Sequence, residues 1–99
     1  MKSNYLDKLN KAFENRLRLG IMSILMVNDA VDFTALKEHL QVTDGNLASH
    51  ITALEKAGYV SVTKQFIEKK PNTSYAATKA GKKAFNDHLD ALEQLLKNR

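Results

Sequence analysis

The chain has 99 residues, 43% of them hydrophobic, which supplies one domain with one core and leaves no room for a catalytic domain beside a regulatory one. It has no cysteine, which excludes disulfides, thiolate metal ligands and cysteine nucleophiles together. The formal charge of +4 is unevenly placed: residues 1–27 carry +3, 28–58 carry −3, 59–83 carry +5 and 84–99 carry −1, so one basic block exceeds the whole surplus and points to a polyanionic partner.

The first residues lack the apolar run of a signal peptide. The longest apolar stretch, 21–27, falls short of the roughly 20 residues of a membrane span; a cytoplasmic protein is expected. Tyr5, Leu6, Leu9 and Phe13 recur at helical spacing, and Leu17, Ile21, Ile24 and Leu25 continue an amphipathic stripe. One helix or two could cover 4–27, with Asn15 and Gly20 as weak points. A short extended piece, 30–33, follows. Thr34 is placed to cap a two-turn helix over 34–40, with Leu36 and Leu40 facing inward. After Gln41-Val42, Thr43 caps a third helix, with Asp44 near its positive end. Leu47, Ile51 and Leu54 form its buried stripe, and Gly58 stops it as a left-handed residue.

From 59 to 67 the chain alternates and is rich in β-branched residues, the pattern of a strand. Residues 68–73 read as a polar hairpin tip around the chain's one proline, and 74–78 as the returning strand. Thr78 caps a last helix reaching about residue 97, along which Phe85, Leu89, Leu92 and Leu96 are spaced four, three and four apart. Two short helices joined by a tight turn and followed at once by a hairpin make a helix-turn-helix with a wing. The expected fold is α+β, mainly α. It has a winged helix-turn-helix, a two- to three-stranded antiparallel wing sheet and a C-terminal dimerisation helix. One domain would span 1–99, with the helix-turn-helix at about 34–57, the wing at about 59–78 and the last helix at about 79–97.

The run Val31-Asp32-Phe33-Thr34-Ala35-Leu36, then Thr43-Asp44-Gly45-Asn46-Leu47-Ala48-Ser49-His50-Ile51, Leu54-Glu55-Lys56-Ala57-Gly58-Tyr59-Val60 and Thr78-Lys79-Ala80-Gly81 resembles the winged helix-turn-helix of prokaryotic regulators, closest to the MarR-like and ArsR-like groups. The resemblance covers roughly 15–88 and implies transcriptional control by a dimer on double-stranded operator DNA. The chain departs from metal-sensing relatives in lacking their cysteines, and it carries Ala48 where relatives often have serine.

With Leu47, Ile51 and Leu54 inward, Gly45, Ser49, Thr52 and Lys56 fall on the opposite face of the third helix, and Asn46 and Ala53 on its edge. That small polar face suits a major groove about 12 Å wide, where Asn and Ser can bond base edges. The expected DNA contacts are Thr43, Gly45, Asn46, Ser49, His50, Thr52 and Lys56, with Lys64, Lys69 and Lys70 of the wing on phosphates. His50 lies at the boundary of the face and has two open roles, a phosphate donor or a partner for a carbonyl beside the core. The expected dimer interface joins Phe85, Leu89, Leu92 and Leu96 to Tyr5, Leu6 and Leu9.

His88, with Asp87, Asp90 and Glu93, reads as part of a solvated acidic face; one histidine is thin for zinc, so no metal and no cofactor are expected. Ser49 and His50 are adjacent on a helix and point about 100° apart, so they cannot pair as nucleophile and base. No glycine-rich phosphate loop, HExxH or paired carboxylates occur, and no enzyme is expected. A protein-interaction module of the same fold would have no need of lysines in the wing. Single-strand binding would need exposed aromatics, and Tyr59, Phe66 and Tyr75 are expected to be mostly buried by their strands. No membrane partner and no small-molecule effector are assigned.

Overall fold

Side-chain oxygens, rather than hydrophobic spacing, decide where the first helix begins. The structure, a computed structural model, describes residues 5–97; the first residue of the expected 4–27 segment lies outside them. Instead of a helix over 5–13 there are two short 3-10 turns, Tyr5–Lys8 and Lys11–Phe13, followed by α1, Arg16–Met26. Asn10 Oδ1 accepts the Ala12 amide at 2.9 Å, and Asn15 Oδ1 accepts those of Leu17 at 2.9 Å and Arg18 at 3.2 Å. Each asparagine offers the backbone an alternative to continuing a helix. Gly20 is simply carried inside α1.

The extended piece is β1, Val31–Asp32, and α2 runs Phe33–Leu40. The cap is therefore Asp32, not Thr34. The Asp32 carboxylate accepts the Ala35 amide at 2.8 Å, and a full negative charge suits the positive end of a helix better than a hydroxyl does. Thr34 sits exposed in the first turn. Gln41 ends α2 in the left-handed region, φ 53°, and the tight connection leads to α3, Asp44–Lys56. Thr43 caps α3, its Oγ1 accepting the Asn46 amide at 3.2 Å. Gly58, at φ 83°, donates to Glu55 O, and Tyr59 donates to Leu54 O, the paired bonds that close a helix over a left-handed residue.

Strands β2, Val60–Ile67, and β3, Lys70–Ala77, pair antiparallel in register from Val60↔Ala77 to Ile67↔Lys70. The short β1 pairs with β3 through Val31↔Tyr75, so the sheet order is β1-β3-β2. The polar tip is much shorter than the expected 68–73: only Glu68 and Lys69 turn the chain, at φ 51° and 68°, the two positive angles of a tight hairpin turn. Pro71 lies within β3 opposite Phe66. Because β1 reaches only Ser74, β3 is an edge at that point, and edges tolerate a missing N–H.

Helix α4, Lys79–Lys97, starts where Thr78 Oγ1 accepts the Gly81 amide at 2.9 Å while donating to Gly58 O at 2.7 Å. Ile21, Met22, Leu25, Leu36, Leu47 and Leu54 are fully buried at the centre of the core, where α1, α2 and α3 meet. Phe13 and Phe85 meet edge to face at 5.1 Å on the α4 side. The Cα extents are 59 × 25 × 21 Å and the radius of gyration is 15.1 Å, against about 13 Å for a compact chain of this size.

His88 corrects another expectation, for it is 4% exposed and not part of a solvated face. Its Nδ1 accepts the Asn10 backbone N–H at 2.9 Å, and its ring meets Phe13 at 5.5 Å. Desolvation holds the imidazole below its usual pKa, against a smaller opposite pull from the Glu14 carboxylate. A proton on Nδ1 would face the Asn10 N–H, donor against donor. Because the folded pKa lies below the unfolded value of about 6.5, this stability is complete above that pH and is lost as pH falls through the folded pKa. Denaturant midpoints should therefore drop as the pH is lowered below about 6.5, and His88→Gln, which keeps an acceptor and cannot titrate, should flatten that drop. Equal slopes in the two proteins would show that His88 is not held neutral.

Candidate nucleic-acid interface

Burying Leu47, Ile51 and Leu54 turns the opposite side of α3 to solvent, and Thr43, Gly45, Asn46, Ser49, Thr52 and Lys56 are all exposed there. Nothing lies within 4 Å of a Cβ built on Gly45, so the glycine answers to no contact within the fold. Lys37 Nζ reaches Asp44 Oδ1 at 2.8 Å across the turn, which neutralises the acid at the start of this face; both groups are exposed, so the bridge itself adds little stability.

His50 is half-buried, and the hydrogen bond it makes within the fold is with a side chain, not with a carbonyl beside the core. Arg18 Nε donates to His50 Nδ1 at 3.1 Å, which leaves Nε2 to carry the proton. Sequence reasoning passed over Arg18. A signal was present: Arg16 and Arg18 occupy the first turn of α1, with no acid beside them. Cations are disfavoured at that positive end, and such a local penalty marks residues kept for another purpose.

In the wing, Lys64, Lys69 and Lys70 are exposed. Phe66 is 75% exposed and Ile67 50%, so Phe66 is the exception among the three aromatics that the strands were expected mostly to bury. Tyr75 is buried and Tyr59 half-buried near the base of the hairpin, whereas Phe66 lies beyond the reach of the core. A groove of about 330 Å³ runs between β3 and the start of α2, lined by Asp32, Phe33, Thr34, Pro71, Asn72, Thr73 and Tyr75. Lys79 and Lys82 are exposed on α4, and Lys83 bonds Asp87 at 2.8 Å. Among the described residues no group of three or more His, Asp or Glu is placed to hold a metal, and no helix is long and apolar enough to cross a membrane.

This arrangement of a two-helix turn, an outward polar third helix and a basic hairpin matches a known family model, the winged helix DNA-binding domain, over residues 17–96. The chain belongs to that family. It is 35% identical over 88 residues to an uncharacterized protein of Methanocaldococcus jannaschii, a match covering 89% of this chain and 96% of that protein. The structure of the transcriptional regulator homologue protein from Pyrococcus horikoshii OT3 superposes with a TM-score of 0.86 at 32% identity over 94% of each chain. At 16% identity, the overoxidized AbfR bound to DNA shares the fold with a TM-score of 0.73, over 95% of this chain and 68% of that one. The winged-helix chain is a DNA-binding domain of the kind found in transcriptional regulators.

Proposed function

We propose that this winged-helix protein is a homodimeric, sequence-specific transcriptional regulator of the cytoplasm, a binding protein without catalysis. Helix α3 lies in the major groove, and the wing lysines hold the phosphate backbone. The observation that carries the reading is the outward face of α3. Gly45, Asn46, Ser49 and Thr52 are small or polar and exposed, directly opposite a fully buried Leu47 and Leu54. A solvated face of no function would be expected to carry longer charged side chains; this one is cut to fit a groove. Asn46 and Ser49 are its readers, because both lie in the half of α3 that leads into the groove. A two-fold dimer would read an inverted repeat with half-site centres about 10 base pairs apart, or a multiple of that.

The test starts from binding-site selection on random duplexes, followed by affinity for the selected site and for a scrambled one at fixed salt. Asn46→Ala and Ser49→Ala should each lower affinity for the selected site by about 1–3 kcal/mol and leave the scrambled duplex nearly unaffected. Replacing Lys69 and Lys70 together by Ala should weaken both duplexes alike. It should also flatten the dependence of log affinity on log salt by about 0.9 per lysine per subunit. An unchanged ratio of selected to scrambled affinity in both helix variants would remove α3 as the reader.

A further inference from the structure

The end of the hairpin joins two features that rarely share a surface. Phe66 is 75% exposed and Ile67 50%, with an exposed Pro71 directly across the ladder from Phe66. Around them stand Lys64, Lys69 and Lys70, all exposed, with Glu68 as the one acid. Alternation along β2 sets Phe66 on the same face as Val60 and Val62, so the core-facing side of the hairpin continues past the core and ends in an aromatic ring with nothing beneath it. The ladder runs unbroken to Ile67↔Lys70, and the turn has only two residues. The ring is thus held at the tip of a stiff, narrow arm.

A single exposed apolar residue needs no explanation; a cluster at the apex of a cationic arm does. A protein partner would match the ring but gain nothing from three lysines. A phosphate backbone alone would match the lysines but not the ring. The minor groove of a duplex offers both, phosphates on its rims and apolar base faces between them, and proteins that bend DNA insert Phe, Ile or Pro there beside cations. Resting on the DNA-binding reading above, we propose that the wing tip is an apolar wedge. Phe66, backed by Pro71, enters the minor groove and partly unstacks one base step while Lys64, Lys69 and Lys70 hold the flanking phosphates. The step beneath the wing is then a flexible pyrimidine–purine step, because those unstack most easily, and it adds specificity at a position that α3 does not touch.

The chain has no tryptophan, so Phe66→Trp in the full-length protein introduces a single reporter at the tip. Its titration with a duplex of about 30 base pairs, selected for tight binding and labelled at both ends, reads three signals: DNA anisotropy for binding, indole emission for contact with bases, and end-to-end energy transfer for bending. The expected result is indole quenching and protection from acrylamide on binding. Phe66→Ala should bind about tenfold more weakly and leave the duplex straight. Phe66 is exposed, so both variants should melt with the wild type, and circular dichroism checks this. Binding by anisotropy with an indole as bright and accessible as in the free protein, and a bend unchanged in Phe66→Ala, would overturn the wedge and leave the DNA-binding reading intact. Quenching that grows with protein concentration in the absence of DNA would overturn it in favour of a protein contact. Failure of the wild type to bind any duplex would overturn both readings.

Discussion

Gly81→Ala should destabilise the fold by about 2–4 kcal/mol, a far larger effect than a single added methyl group usually has. A Cβ at residue 81 would land on the backbone carbonyl oxygen of Tyr59, with the carbonyl carbon and Cα of that residue at 2.9 Å. Backbone cannot swing aside as a side chain can. The same carbonyl accepts the Thr78 amide at 2.9 Å, and Thr78 Oγ1 joins Gly58 O to the Gly81 amide. Moving α4 away to admit the methyl group would break this set of bonds together and unseat Phe85 from the core. The gain in helix propensity, about 1 kcal/mol, works the other way and is outweighed. For a domain of this size the loss corresponds to a fall of about 10–25 °C in Tm. Gly45→Ala is the control, since its Cβ would meet nothing within 4 Å; it should raise stability by about 0.5–1 kcal/mol while weakening duplex binding if the groove approaches that closely. Calorimetric melts of both variants decide the matter, and a Gly81→Ala protein melting within a few degrees of wild type would mean that α4 does not abut Tyr59 so tightly.

What could be read from the sequence followed from how local its causes were. Leu47, Ile51 and Leu54 announced the buried face of α3 because a helix repeats every few residues. Thr43 and Gly58 announced its two ends, and Thr78 the start of α4, because caps act within a single turn. Thr34 misled because Asp32, two residues earlier, starts the helix sooner by accepting the Ala35 amide, and sequence alone did not weigh the carboxylate against the hydroxyl. Asn15, one of the two weak points the sequence offered, does break the helical spacing, and Asn10 breaks it again where hydrophobicity gave no sign. His88 and Arg18 escaped for another reason: their partners, Asn10 and His50, are 78 and 32 residues away in the chain. Phe66 was misjudged because alternation predicts which face a strand residue takes, not where along the strand the core ends.

Leu92→Asp should abolish self-association and, with it, tight operator binding. Helix α4 has 19 residues and is about 28 Å long, but its own domain covers only the side that holds Gly81, Phe85, His88 and Ala91. Leu89, Leu92 and Leu96 remain 42%, 38% and 68% exposed. Phe85 is 3% exposed, so the apolar seam read along Phe85, Leu89, Leu92 and Leu96 divides: its first member belongs to the core, and the three leucines are the exposed part that the proposed dimer would cover. A two-fold interface presents every residue twice. Removing one leucine per chain, worth about 1.5–3 kcal/mol when fully buried, and setting two carboxylates in its place should weaken the dimer by about a thousandfold or more. Each released subunit then holds one half-site, and the linkage between the two readings of α3 is lost. Leu92→Ala should weaken association less and leave the fold intact, which separates the interface from the core. Light scattering across a range of concentrations reads the outcome directly, and a wild-type mass of 11.1 kDa persisting at tens of micromolar would eliminate this face as the dimer interface.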